Sequence, residues 1–183
     1  MVEGGVLFRV AGGDLIDEVL RFRESVYARD LGHVPRDGNE ESACHFVAQM
    51  PSGIIVASFR LLGPEARPFD LESSVDLGLL LGPDARPALV GRLCTHPAYR
   101  KVSQSIPIYG GLLRLALGYA AEHRVTDLLL YTYDNLRNFY RAARFVDTQL
   151  LVEHPDWGAV RLMRRHLAEA PVVCTPSRGK LTR

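Results

Sequence analysis

Arginines, acids and a histidine gather in the first quarter of the chain: Arg23 and Tyr27, then Asp37, Glu40 and Glu41, then His45. Side chains four apart share a helix face, so Arg23 lies in a stripe with Val19 and Tyr27 and interrupts it with a charge. A guanidinium on an apolar face needs an anionic partner. Asp37, Glu40 and Glu41 offer one, as a structural ion pair or as part of a pocket. Glu40, Glu41 and His45 are also the candidates to take a proton from a reacting group; for His45 the plainer role is a hydrogen-bonded strand histidine. Arg60 alternates with Ser58 on one β-prone run, and Arg92 with Cys94 on another. An arginine fork matches a carboxylate, so each could anchor an acidic group or lie on a wet sheet face. Arg60 is the first choice as anchor, because Ser58 and Phe59 supply no local acid. Arg100, Lys101, Ser103, Gln104 and Ser105 crowd the approach to a helix, where unpaired N–H groups favour phosphate. The alternative is a solvated loop. Tyr140 is either a proton donor or a packing aromatic, and Cys94 is better read as a packed strand cysteine than as a nucleophile.

The elements that must carry these residues follow from periodicity. Val6 to Val10 reads as a strand, ended by Gly12-Gly13, and Asp14 as the N-cap of a helix that Gly32 closes. His33 to Ser42 is a loop. Ala43 to Gln49 and Gly53 to Leu62 form a hairpin about Met50-Pro-Ser-Gly53. Gly63 to Pro87 is rich in proline, lacks a sustained period and reads as a long surface excursion that helps cover a pocket. Ala88 to Thr95 is a strand, followed by a polar loop and a helix from Pro107 to about His123. Thr126 to Tyr133, with Leu128-Leu-Leu-Tyr131, suits a central strand covered on both faces. Asn135 caps a short helix through Ala143, and Val146 to Glu153 and Gly158 to Arg165 make a last hairpin. The order predicts an α/β (α+β) domain: a mixed, mostly antiparallel central sheet flanked by helices, with one β–α–β crossover between Ala88 and Tyr133. Residues 1–170 form this domain and 171–183 a basic tail.

Composition excludes several classes. The chain has 183 residues, 47% hydrophobic and 23% charged, with a formal net charge of +1. That balance is globular and gives no long-range pull toward nucleic acid. No run is long enough for a membrane span, and Met1 to Asp14 does not read as a secretory leader. Three widely spaced cysteines, Cys44, Cys94 and Cys174, point to reduced thiols and the cytoplasm. Cys44-His45 and Cys94-x-His96 lack the spacing of a structural zinc site, so no metal is expected. Phosphate-loop, dinucleotide and serine-hydrolase motifs are missing from the sequence.

From Val90 to Phe145 the chain runs Val90-Gly-Arg-Leu-Cys-Thr95, His96-Pro-Ala-Tyr-Arg100, a polar stretch, a helix, a strand, and Phe139-Tyr140-Arg141-Ala-Ala-Arg-Phe145. This resembles the GNAT superfamily of N-acyltransferases. The first half, with Arg23-x-x-x-Tyr27, Asp37-x-x-Glu40-x-x-Ala43-x-His45, Ser58-Phe-Arg60-Leu-Leu62 and Gly91-Arg92-Leu93, is similar to their N-acyl amino acid synthase and acyl-homoserine lactone synthase branch. The resemblance implies a GNAT fold splayed at the strand Ala88–Thr95. A phosphopantetheine thioester, as acyl-CoA or on an acyl carrier protein, would lie along that strand as co-substrate. Leu93, Cys94 and Thr95 would meet the thioester arm, and Arg100, Lys101, Ser103, Gln104 and Ser105 its phosphates. Arg23, Tyr27, Asp37, Arg60 and Arg92 would line the site of a small-molecule amine, an amino acid first, with acetyl-CoA-dependent acetylation of another amine or a non-catalytic carrier- or CoA-binding module as the alternatives; Glu40 or His45 would take the amine's proton, and Tyr140 would protonate the leaving thiolate. Arg100-Lys-Val-Ser-Gln-Ser stands where the superfamily has Arg-Gly-x-Gly, and Ala143-Arg144-Phe145 where it has Gly-Phe.

Overall fold

The β-prone runs join into one sheet. Its strands are β1 (Val2–Glu3), β2 (Val6–Val10), β3 (Cys44–Gln49), β4 (Ile55–Leu62), β5 (Pro87–Thr95), β6 (Asp127–Thr132), β7 (Val146–His154) and β8 (Gly158–His166). Their spatial order is β1-β2-β3-β4-β5-β6-β8-β7. Four helices accompany them among the described residues: α1 (Asp14–Leu31), α2 (Leu77–Leu81), α3 (Val102–Glu122) and α4 (Arg137–Ala142). The structure, a computed structural model, describes residues 1–3, 5–34, 38–154 and 157–167. Asp37 and the tail 171–183 therefore lie outside the described residues.

All neighbouring strands are antiparallel except β5 and β6, which run parallel and are joined through α3. That one parallel pair is the expected crossover. Its ladder is short: Pro87 faces Asp127, and the last pair is Val90 with Leu130. Beyond it β5 stays on β4, up to Thr95 opposite Ala57, while β6 stays on β8, up to Thr132 opposite Arg161. The two strands therefore diverge from Gly91 onward, and the sheet is splayed within the strand predicted to carry the splay. A bulge sits at the fork. Arg60 faces Gly91 and Ser58 faces Cys94, so Arg92 and Leu93 together oppose Phe59, and Arg92 has φ 55°. Such a bulge bends its strand and interrupts the ladder.

Alternation along the strands makes two apolar faces. On one, Phe46, Phe59, Leu61, Val90, Leu128 and Leu130 pack against Leu112 and Ala116 of α3 and Tyr140 of α4. On the other, Val47 and Ile55 meet Val19 of α1, and Cys94 meets Val26 and Tyr27. The 63–86 segment covers the rest of that second face. Phe69, Leu71 and Leu77 bury against Leu62, Leu89, Leu129 and Leu162, so this stretch is a packed cover, with two single turns of 3-10 helix and α2. Its turns are too short to show a helical period, which is why it reads as surface loop from sequence.

Helix ends differ from the sequence reading in two places. Gly13, not Asp14, is the N-cap of α1; Asp14 and Asp17 are first-turn acids, while Gly32 closes the helix with φ 73° as expected. Helix α3 begins at Val102, and Pro107 lies inside it. The apolar period begins only at Tyr109, so the polar first turn reads as loop. For α4 the N-cap is Leu136, and Asn135 lies in the preceding 3-10 turn.

Helix α3 approaches β2 through Gly111, where a Cβ would stand 2.4 Å from the ring of Phe8, which is 2% exposed. At neighbouring Gly110 the nearest atom would be Arg114 Nη1 at 3.8 Å. The two glycines should therefore part company. Gly111→Ala should lose about 1–2 kcal/mol in urea unfolding, overpacking outweighing helix propensity. Gly110→Ala should be neutral or gain up to about 1 kcal/mol. Equal responses would contradict this packing.

Candidate active site

Two groups of side chains meet near the fork. The first is a buried arginine network beneath α1. Helix α1 places Arg23 among its buried residues Val19, Val26 and Tyr27, where every N–H needs a partner. Nε donates to Ser58 Oγ at 3.2 Å, Nη1 to Glu40 Oε2 at 2.9 Å and Nη2 to His45 Nδ1 at 2.6 Å. A guanidinium can only donate, so Nδ1 of His45 is an acceptor and its Nε2–H donates to the carbonyl of Glu40 at 2.9 Å. His45 is thus neutral, and burial first, then Arg23, hold its imidazole below the ordinary 6.5. Arg60 Nη1 donates to Glu40 Oε1 at 2.9 Å. The expectation that Arg60 has no acid of its own is overturned: Glu40, brought in by the loop before β3, bridges it to Arg23. Strand neighbours alone could not show that partner.

The second group is the cleft at the fork, a cavity of about 180 Å³. Gly91, Arg92 and Leu93 of β5 and Leu130, Tyr131 and Thr132 of β6 form its two walls. It is lined from both faces of the sheet, by Tyr109 and Tyr140 on the α3 side and by Tyr27, Asp70, His154 and Trp157 on the other. Arg92 lies 5.5 Å from the Trp157 ring centre. A second groove of about 300 Å³ is lined by Glu24, Glu40 and Arg23, and it shares Tyr27 and Arg92 with the cleft. Glu40 and His45 do not line the cleft itself; their oxygens and nitrogens hold the arginines. Tyr140 does line it, ringed by Tyr109, Phe139 and Phe145, and burial pushes its phenol up to about 12. It is therefore protonated at neutral pH. Cys94 is buried opposite Ser58, 3.5 Å from its hydroxyl, and burial raises its thiol to about 11. That makes it inert, as the packed-cysteine reading expects.

Past the cleft β5 runs into the start of α3. Arg100 Nε donates to the carbonyl of Thr95 at 2.9 Å, and Nη2 donates to Asp30 near the end of α1. Lys101 is the N-cap of α3, with no side-chain capping bond. Ser103 and Gln104 belong to the first turn, which has no acidic residue, and the Ser105 N–H is bonded to the carbonyl of Lys101. The run read as a phosphate-binding loop is thus the helix end itself. Tyr109, on the cleft wall, follows about 10 Å further along the helix axis from Val102.

No family model and no curated sequence matches the chain. Solved structures do. FeeM, an N-acyl amino acid synthase from uncultured soil microbes, superposes with a TM-score of 0.74 at 15% identity, over 88% of this chain and 89% of that one. An acyl-CoA N-acyltransferase from Pseudomonas aeruginosa gives 0.61 at 17%, over 87% and 99%. MesI, a CoA-dependent acyl-homoserine lactone synthase, gives 0.58 at 19%, over 85% and 83%. This is the GNAT fold. Its splayed strand pair coincides here with the cleft.

Asp70, Tyr131, His154 and Trp157 line the cleft of this GNAT fold without having drawn attention in the sequence. His154 Nε2 meets Asp70 Oδ2 at 3.2 Å across 84 positions, and the Tyr131 hydroxyl donates to Asp70 Oδ1 at 3.2 Å across 61. Separations of that size leave no spacing signature. Among the described residues no group of three or more histidines, cysteines or acids could hold a metal ion, and no helix is long and apolar enough to cross a membrane.

The arginine network carries a pH signature. The folded state binds a proton on His45 less readily than an unfolded chain does at its ordinary 6.5. Stability from this group is full above that value and lost as pH falls through and below it. Urea midpoints at about pH 7.5 and about pH 5.5 should differ more in the wild type than in His45→Gln. Removing Glu40 leaves two buried guanidinium groups short of their anion, so Glu40→Ala should cost roughly 3 kcal/mol. An unchanged pH gap, or a neutral Glu40→Ala, would contradict the network.

Proposed function

We propose that this protein transfers an acyl group from a phosphopantetheine thioester, as acyl-CoA or on an acyl carrier protein, to the amine of an amino acid. The observation that carries this reading is the fork. After Val90 the β5 backbone has lost its β6 partner while keeping β4. An extended amide-bearing arm can pair with that open edge as an added strand would. The bulge at Arg92 and Leu93 presents N–H groups outside the regular ladder, suited to polarise a thioester carbonyl and hold the oxyanion. The acid-free first turn of α3, with Arg100, Lys101, Ser103, Gln104 and Ser105, suits the donor's phosphates.

The acceptor would enter from the other face. Arg92, on the cleft wall and shared with the side groove, is the carboxylate anchor. Arg23, Glu40 and His45 then act as a positioning frame. The ammonium first loses one proton to solvent; attack by the neutral amine then forms the C–N bond and breaks the C–S bond, and Tyr140 gives its proton to the departing thiolate and regains one from the nitrogen. A phenol at about 12 is protonated at neutral pH; because a thiol at about 8.5 is the stronger acid, the phenol's proton passes to the sulfur only as the phenol takes one from the nitrogen in the same step.

Incubation with acyl-CoA, acyl-loaded carrier protein, mixed amino acids and polyamines, read by mass spectrometry, tests the reading. The expected products are N-acyl amino acids. Polyamine amides alone, or no amide from any thioester, would overturn it. Tyr140→Phe should lower kcat by about 100-fold or more, because only the hydroxyl is lost. Wild-type turnover would make Tyr140 a packing residue.

A further inference from the structure

We propose that Asp70 is the ammonium seat of the acceptor, facing Arg92 across the cleft as the negative pole of a site built for a zwitterion. The proposal rests on the amino acid reading above and adds the group that recognises the amine. Asp70 is the one carboxylate lining the cleft among the described residues, while Arg60 of β4 and Arg92 of β5 also line it. An amino acid carries the complementary pair of charges.

The bonding of Asp70 leaves room for a ligand. A carboxylate can accept about four hydrogen bonds. Oδ1 accepts from the Leu71 N–H at 2.8 Å and the Tyr131 hydroxyl at 3.2 Å, whereas Oδ2, among the described residues, meets His154 Nε2 at 3.2 Å. Leu71 and Tyr131 fix the first oxygen and orient the second. The side chain is 35% exposed, against 7% for His154, so it is held in place without being sealed off. Tyr131 and Trp157 flank the His154 ring at 5.4 and 6.0 Å between centres. Asp70 also arrives on the packed 63–86 cover, anchored by Phe69 and Leu71, which are 2% and 1% exposed.

Calorimetric binding to the full chain provides the test. The probes are phenylalanine, leucine and glycine, the matching acids without the amine, the matching amides without the carboxylate, and spermidine. Wild type should prefer each amino acid to its des-amino acid, and Asp70→Asn should shrink that preference by about 10-fold or more, the scale of one charge-assisted hydrogen bond. Tyr131→Phe, which keeps the charge and frees the carboxylate, should shrink it partially and covers the case of a misfolded Asp70→Asn. Thioester donor binding should be unchanged in both. If spermidine binds better than any amino acid and Asp70→Asn abolishes that, the seat stands and the amino acid reading falls. If amino acids bind and both variants keep the full amine preference, the seat is wrong.

Discussion

The parting of β5 from β6 after a short parallel ladder is the constraint on which the rest of this molecule depends. Buried backbone groups must find partners, and the fork leaves edges of two strands without each other. Flanking strands hold each arm separately: β4 keeps β5 in place to Thr95, and β8 keeps β6 to Thr132. The bulge turns β5 away at Arg92. Tyr109 and Tyr140 from the helical layer and Asp70, His154 and Trp157 from the opposite side then line a gap instead of filling it. An interior that closed completely would have no place for a substrate; here the opening is built into the sheet.

Around that opening, charge is arranged by partnership. Arg23 and Arg60 are almost wholly buried and share the two oxygens of Glu40, with His45 neutral and bonded at both nitrogens. A buried ionic frame is weak as a source of stability but strict in geometry. It fixes α1, the loop before β3, and strands β3 and β4 to one another, and so sets the wall from which Arg92 projects. The cleft lining then carries both signs, with Arg60 and Arg92 from β4 and β5 and Asp70 from the 63–86 cover.

Much of the fold was legible because it rests on local pattern. Alternating strands, the apolar stripe of Tyr109 to Ala120 and the Leu128-Leu-Leu-Tyr131 run each mark their own element, and the order of elements limits how they can pair. Residue proximity was legible only where the chain is short. Arg23 and the acids of the next loop could be matched by eye, and Glu40 proved the partner. The Glu40–Arg60 bond and the Asp70–Tyr131–His154 cluster could not, because tertiary folding alone brings them together. The first turn of α3 was hidden for another reason: a mostly polar turn ahead of a proline has no apolar period to betray it.

Amide hydrogen exchange, followed with and without a non-hydrolysable acyl-pantetheine analogue, tests the claim that the fork is the donor's seat. The account predicts new protection at residues 91–95 on the free arm of β5 and in the first turn of α3, with residues 87–90, already paired to β6, unchanged. Protection confined to other elements, or no response at residues 91–95 while the analogue is bound, would contradict it.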